Sequence, residues 1–135
     1  MSDSTTPSIG GLTPYITVRG AKEAVEFYKR AFGAEEVTRH EADDGKRLLH
    51  CHLAINGANL MMSDEFAEHG ADMGAGPSGV TLHLEVDDAD AWWRRALDAG
   101  ATVTMPIDDQ FWGARYGQLR DPFGHSWSIG SPIRK

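Results

Sequence analysis

One stretch decides the fold, and it reads Trp112-Gly113-Ala114-Arg115-Tyr116-Gly117-Gln118-Leu119-Arg120-Asp121-Pro122-Phe123-Gly124-His125-Ser126-Trp127. Asp121, Pro122 and Gly124 suit the first, second and fourth positions of a type I β-turn. The Asp carboxylate closes on the backbone there, Pro fixes φ and Gly relaxes the exit. The segments on both sides of this turn are therefore predicted to pair as a β-hairpin.

The chain repeats one pattern in its two halves, a strand followed by a helix. Pro14–Val18 precedes a helical run that ends at Gly33, and Leu82–Val86 precedes one that ends at Gly100. Asp88 is the predicted N-cap of the second helix. Apolar residues recur at helical spacing in both runs, which predicts helices packed on sheets. They are Ala21, Ala24, Val25, Tyr28 and Phe32 in the first run, and Ala89, Trp92, Trp93, Ala96 and Leu97 in the second.

Three strands are predicted after each helix. They are Glu36–Glu41, Leu48–Ile55 and Asn59–Ser63 in the first half, and Thr102–Met105, Ala114–Arg120 and His125–Ile129 in the second. Asp44-Gly45 and Asn56-Gly57 are hairpin signals. The predicted fold class is therefore α+β, with two tandem βαβββ units. We expect a flexible tail over residues 1–10 and a single domain over residues 11–131, with a first unit of about 11–64, a linker of about 65–79 and a second unit of about 80–131.

Phe27-Tyr28 in the first helix, the two βαβββ units and the Asp-Pro-Phe-Gly turn together resemble the vicinal-oxygen-chelate (VOC) superfamily. This superfamily includes glyoxalases, extradiol dioxygenases and antibiotic-binding resistance proteins of the bleomycin-resistance type. The resemblance covers residues 11–131, and the stretch from Trp112 to Trp127 resembles its PhnB-like branch. It implies curved mixed sheets around a cleft, and a homodimer, since members pair units between two chains. Adjacent Trp92 and Trp93 are compatible with a dimer, because one short helix cannot easily bury both.

Composition limits the partners and the compartment. The net charge is −7, with 13 basic and 20 acidic residues, which is the wrong sign for binding a phosphate backbone. No apolar run approaches the about 20 residues needed to cross a bilayer. Cys51 is the only cysteine, so no intramolecular disulfide can form and a cytoplasmic location is expected. We therefore expect a small-molecule partner, and neither nucleic acid nor a membrane.

Alternation along four strands separates an apolar face from a polar face. The apolar sets are Leu12, Ile16 and Val18; Cys51, Leu53 and Ile55; Leu82, Leu84 and Val86; and Trp127 and Ile129. The polar sets are Thr13, Tyr15 and Thr17; His50 and His52; Thr81, His83 and Glu85; and Ser126 and Ser128. The pattern leaves open whether the polar face meets water or a ligand, and the VOC resemblance favours a ligand cleft. Cys51, on the apolar side, is predicted to be an inert core thiol.

Enzymes of the VOC superfamily commonly hold one divalent metal through His and Glu side chains from both units. Those positions correspond here to Thr13, Met61, Thr81 and Ser128. Hydroxyl and thioether groups are poor ligands for Zn, Ni, Fe or Mn, so we predict no metal at the usual site. A displaced divalent metal remains an alternative, because other residues of the polar face are better ligands. These are His50, His52, His83 and Glu85.

The candidate ligand-binding residues combine the polar face with its predicted neighbours. They are Thr13, Tyr15, His50, His52, Met61, Thr81, His83, Trp112, Arg115, Ser126 and Ser128. The Arg115 guanidinium, between Trp112 and Tyr116, suits bidentate binding of a carboxylate, phosphate or phosphonate. It also suits a structural tie to backbone carbonyls or to an acid such as Asp121, and we favour this second interpretation.

Three functional interpretations follow. The first is a metal-free small-molecule-binding protein of the sequestration or resistance kind. The second is a glyoxalase-like lyase or isomerase, or a dioxygenase, which uses a displaced metal or acid–base groups. The acid–base candidates are Tyr15, His52, His83 and Glu85. The third is a paralogue whose cleft has no physiological ligand. The sequence does not decide whether the protein is an enzyme.

Overall fold

The computed structural model describes residues 10–70 and 73–133. Its elements are β1 (Tyr15–Val18), α1 (Ala21–Phe32), β2 (Glu35–Glu41), β3 (Leu48–Ile55), β4 (Ala58–Asp64), a short 3₁₀ helix (Ala67–His69), β5 (Thr81–Glu85), α2 (Ala89–Ala99), β6 (Thr102–Asp109), β7 (Ala114–Arg120) and β8 (Ser126–Pro132). The predicted α+β class with two tandem βαβββ units is confirmed. Residues 1–9 of the expected flexible tail lie outside the described residues.

Each half of the chain builds its own four-stranded mixed sheet. The strand order is β1-β4-β3-β2 in one sheet and β5-β8-β7-β6 in the other. The pairs β1–β4 and β5–β8 are parallel, and the remaining neighbours are antiparallel. The described residues divide into two compact units, residues 10–29 with 33–70 and 73–75, and residues 30–32 with 76–133. The internal repeat seen in the sequence therefore corresponds to a repeated strand connectivity.

The predicted turn between β7 and β8 is confirmed. The Gly124 amide donates to the Asp121 carbonyl over 3.1 Å, which is the i to i+3 bond of a β-turn. Oδ1 of Asp121 accepts from the amides of Phe123 and His125, at 2.9 and 3.0 Å. The carboxylate thus closes the turn, and β7 and β8 pair from Arg120 and Ser126 onward.

The two helices begin with different caps. Asp88 caps α2 as predicted, since its side chain accepts from the Ala91 amide at 3.2 Å. Gly20 precedes α1 and has no side chain to cap it. Buried Asp64, at the end of β4, instead accepts from the amides of Gly20 and Ala21, each at 2.9 Å. Its other oxygen accepts from the Leu48 amide at 2.7 Å, so one carboxylate joins the helix start to β3 and β4.

The apolar faces form the core, but Leu12, which the predicted alternation assigned to an apolar face, is an exception. Leu12 is 96% exposed, because β1 begins only at Tyr15 and the alternation does not extend to it. β6 continues past the predicted end at Met105 and includes Pro106. It is an edge strand that pairs only with β7, and an edge strand tolerates a proline that lacks an N–H donor.

No helix among residues 10–70 and 73–133 has the length and apolar character of a membrane span.

Candidate functional site

The polar face of the second sheet is ordered in rows, because paired residues on neighbouring strands project to the same side. Three rows cross β5, β8 and β7. They are Thr81–Ser126–Arg120, His83–Ser128–Gln118 and Glu85–Gly130–Tyr116. The predicted members Thr81, His83, Glu85, Ser126 and Ser128 therefore share one face. Sequence reasoning missed the β7 members, Tyr116, Gln118 and Arg120, although the alternation of β7 predicts that they lie together.

His83 lies at the centre of this face and both of its ring nitrogens are engaged. Nδ1 is 2.7 Å from Oγ of Ser128, and Nε2 is 2.8 Å from Oε1 of Glu85. The His83 ring stacks on Tyr116 at a centroid distance of 5.8 Å. A Cβ at Gly130 would lie 3.0 Å from Cε1 of His83, so the glycine leaves room for the ring. The imidazole is thereby held in one orientation above β8.

A cavity of about 340 Å³ opens over these rows. Its lining consists of Thr81, His83, Glu85, Trp112, Ala114, Tyr116, Ser128 and Gly130. Trp112 contacts Tyr116 edge to face at 5.6 Å and is 52% exposed, so part of its ring remains accessible. The volume falls in the lower part of the range for small-molecule sites, and the mixture of aromatic wall and few polar groups is typical of them.

The first sheet carries a second set of predicted residues. The Tyr15 hydroxyl is 2.9 Å from Nδ1 of His50, and their rings are 5.6 Å apart. Nε2 of His52 is 2.6 Å from Oδ1 of Asn59, a partner that the sequence did not indicate. Burial lowers the pKa of His50 below its ordinary value, and the nearby His40 and His52 lower it further. The lowered pKa favours the uncharged form of the His50 imidazole, which stays within hydrogen-bond distance of the Tyr15 hydroxyl.

Each sheet pairs a tyrosine ring with a histidine ring, but the two residue types exchange strands between the units. The first strand of the first unit supplies Tyr15 and its third strand supplies His50. The first strand of the second unit supplies His83 and its third strand supplies Tyr116. Only the second arrangement lines the 340 Å³ cavity, and only its histidine is also bonded to a carboxylate.

The residues at the expected metal positions do not fit a divalent ion. Met61 is the register partner of Tyr15, and Thr13 is half-buried just before β1. Ser128 is 1% exposed and bonded to His83, while Oγ1 of Thr81 is 3.2 Å from Oγ of Ser126. Their donors are hydroxyls and a thioether, which bind Zn, Ni, Fe or Mn weakly. Over residues 10–70 and 73–133, no three His, Cys, Asp or Glu side chains cluster as metal ligands.

Arg115 is not part of the cavity lining, although the sequence placed it among the ligand-binding candidates. It alternates with Ala114 and Tyr116 on β7, so its side chain lies on the face that carries α2. Its guanidinium donates to Asp90 of α2 at 3.1 Å and to Asp109 at 3.2 Å. Its pKa is raised, chiefly by the hydrogen bond to Asp90. These contacts support the structural interpretation, in which Arg115 binds an acid, but the acids are Asp90 and Asp109 and not Asp121, which the sequence analysis gave as an example.

Cys51 is fully buried, as the alternation predicted. Burial raises the pKa of its thiol to about 11, and neighbouring Glu36 adds to the shift. The thiol is therefore protonated at neutral pH and unsuited to nucleophilic chemistry.

Comparison with known proteins identifies the family. The chain matches the family model of the Glyoxalase/Bleomycin resistance protein/Dioxygenase superfamily over residues 9–129. It is 46% identical over 129 residues to the uncharacterised protein Mb0911c of Mycobacterium bovis, a match that covers 92% of this chain and 84% of that protein. The chain belongs to the Glyoxalase/Bleomycin resistance protein/Dioxygenase superfamily, as its sequence predicted.

Solved structures share the fold. A PhnB protein from Bacillus cereus has a TM-score of 0.72 and 21% identity, over 90% of this chain and 99% of that one. A mutant of the fosfomycin resistance protein FosX from Listeria monocytogenes, complexed with Mn(II) and 1S,2S-dihydroxypropylphosphonic acid, has a TM-score of 0.69 and 16% identity over 93% of each chain. At these identities the likeness is one of fold.

Proposed function

We propose that this protein binds a small molecule in the 340 Å³ cavity of its second unit, without a metal at the positions that family enzymes use. The main observation in support of this proposal is the set of hydrogen bonds that His83 forms. Both ring nitrogens of His83 are hydrogen-bonded within the protein, to Ser128 and Glu85, so the ring is a fixed polar part of the cavity lining. The aromatic rings of Trp112 and Tyr116 line the cavity beside it. A ligand with a flat apolar part fits this combination.

The residues at the expected metal-ligand positions distinguish this chain from metal-dependent relatives. FosX was solved with Mn(II), but the hydroxyls of Thr81 and Ser128 stand here at two of the positions where the family resemblance places metal ligands. Both hydroxyls already bond to protein groups, Ser126 and His83. Affinity in this protein therefore comes from packing and hydrogen bonds.

A second candidate function is acid–base catalysis by His83. Oε1 of Glu85 is 2.8 Å from its Nε2, a contact that orients the ring within reach of a ligand in the cavity. The same cavity would hold the substrate. This alternative needs a turnover measurement, since binding alone does not separate it from the first.

A thermal-shift panel in buffer with EDTA tests the proposed binding. The panel contains aldehydes with thiols, phosphonates and glycopeptide antibiotics. A ligand that binds only the native state raises the melting temperature as its concentration rises above Kd. We expect at least one class to do so in the metal-free buffer, and product analysis of the same mixtures tests for turnover.

Ala114→Phe supplies the matched variant, because Ala114 lines the cavity and a phenyl ring would occupy it. Ala91→Phe places the same ring on the exposed surface of α2. The shift should disappear in Ala114→Phe and persist in Ala91→Phe. A shift that survives Ala114→Phe, or that requires added metal, contradicts the proposal.

A further inference from the structure

A second cavity, of about 280 Å³, adjoins the first on the same unit. Its lining consists of Pro77, Ser78, Gly79, Val80, Thr81, Arg120, Gly124 and Ser126. Thr81 lines both cavities, so the two are neighbours along β5. The second cavity differs from the first in charge, because it holds an arginine where the first holds Glu85.

Arg120 is the positively charged residue in the lining of this second cavity. In the part of the chain that the structure describes, no side chain forms an ion pair or hydrogen bond with its guanidinium. Arg115, five residues earlier on the same strand, is by contrast bonded to Asp90 and Asp109. The exposed Arg120 heads the row Thr81–Ser126–Arg120, so it shares the face of His83 and Tyr116.

The groups around Arg120 favour an anion. Ser78, Thr81 and Ser126 bring hydroxyls to the lining, and none of the described lining residues is acidic. A guanidinium beside hydroxyl donors is a common arrangement for binding phosphate or carboxylate. The hydroxyls of Thr81 and Ser126 are 3.2 Å apart, close enough to contact one bound oxygen.

The distance between Arg120 and Tyr116 along β7 sets the length of a ligand that reaches both residues. Arg120 and Tyr116 are four residues apart on one strand, which corresponds to about 13 Å at the rise of a β-strand. We propose that the protein recognises an organic phosphate or phosphonate, with its anionic head at Arg120 and a planar apolar body packed against Tyr116 and Trp112. The body site rests on the proposed function, whereas the head site depends on Arg120 alone.

Isothermal titration with two matched probes tests this assignment. The first probe is phenylhexyl phosphate, in which a six-carbon chain separates a phenyl ring from the phosphate, and the second is the corresponding alcohol. The wild-type protein should bind the phosphate about tenfold to a hundredfold more tightly than the alcohol, the gain from a charge-assisted contact. Arg120→Gln should make the two affinities equal. Arg94→Gln, which removes the same charge from exposed α2, should leave the difference intact.

The outcomes separate the two proposals. Equal binding of both probes by the wild-type protein, with loss of both in Ala114→Phe, overturns the head site and leaves the body site standing. A phosphate preference that survives Arg120→Gln also overturns the head site. If neither probe binds, titration with inorganic phosphate, followed by NMR at the Arg120 Nε–H, decides the matter. A phosphate-dependent shift there retains the head site without the body site, and its absence overturns both.

Discussion

The indole Nε1 of Trp127 donates a hydrogen bond to Oδ2 of Asp121 over 2.8 Å, and both side chains are buried. The other oxygen of the same carboxylate closes the turn that precedes β8. Asp121 therefore does more than start a turn. It fixes the strand that presents Ser126 and Ser128 to the candidate site.

Asp121→Asn should destabilise the protein by about 1–3 kcal/mol, because the amide N–H₂ group would face the indole N–H and leave a buried donor unpaired. Urea unfolding monitored by circular dichroism measures this change. Asp87→Asn, at an exposed acid, is the matched control and should be neutral within error. Equal stability of Asp121→Asn and the wild-type protein would show that the indole bond contributes nothing.

Arg115→Ala should lower the melting temperature and leave ligand affinity unchanged, because its guanidinium faces Asp90 on α2. The cost should be at most about 1 kcal/mol, since the ion pair is partly exposed. Differential scanning calorimetry and titration with phenylhexyl phosphate measure the two effects. Loss of binding with an unchanged melting temperature would return Arg115 to the ligand site.

Gly117→Ala should destabilise the protein by about 1–3 kcal/mol through overpacking. A Cβ there would lie 2.7 Å from Cζ3 of Trp93 and 2.8 Å from Cα of Ile107, and the backbone atom has little freedom to move. Gly130→Ala is the companion variant, since its Cβ would lie 3.0 Å from the partly exposed His83 ring and at an ordinary contact distance of 3.5 Å from the Arg115 carbonyl oxygen. Denaturant midpoints should rank Gly117→Ala well below Gly130→Ala, and the reverse order would contradict the described packing.

The stability of the folded protein should decrease as the pH is lowered, because of His50. Its pKa is lower in the folded protein than in the unfolded chain, so the unfolded state binds the proton more tightly. The contribution is fully present above about pH 6.5, the unfolded value, and is lost as the pH falls through the lower folded value. Melting temperatures measured from about pH 7 to pH 5 should therefore fall less in His50→Gln than in the wild-type protein.

His69→Gln provides the control for this pH series, since His69 is an exposed histidine of the 3₁₀ helix. It should follow the wild-type curve. If His50→Gln also follows that curve, then burial of His50 does not control the acid sensitivity of the fold.

The sequence was sufficient to predict what local patterns control. The turn at Asp121, the Asp88 cap and the repeat of strand and helix all arise from residues within a few positions of one another. The alternation within strands likewise separated the polar faces from the core. Family membership followed from these features and is confirmed.

The contacts that sequence reasoning missed join distant parts of the chain. Asp64 caps a helix that begins 43 residues earlier at Ala21, and nothing near Asp64 in the sequence indicates this partner. Sequence analysis selected Arg115 because it lies between Trp112 and Tyr116, and it did not consider Arg120. Alternation on β7 sends these two arginines to opposite faces, and only knowledge of which face carries α2 distinguishes them.

The most direct test of metal-independent binding is an isothermal titration of EDTA-dialysed protein with phenylhexyl phosphate, repeated after addition of Mn²⁺, Zn²⁺ or Ni²⁺. We predict saturable binding in EDTA, with a Kd that added metal does not change. Absence of binding in EDTA, with saturable binding restored by one equivalent of metal, would contradict the account.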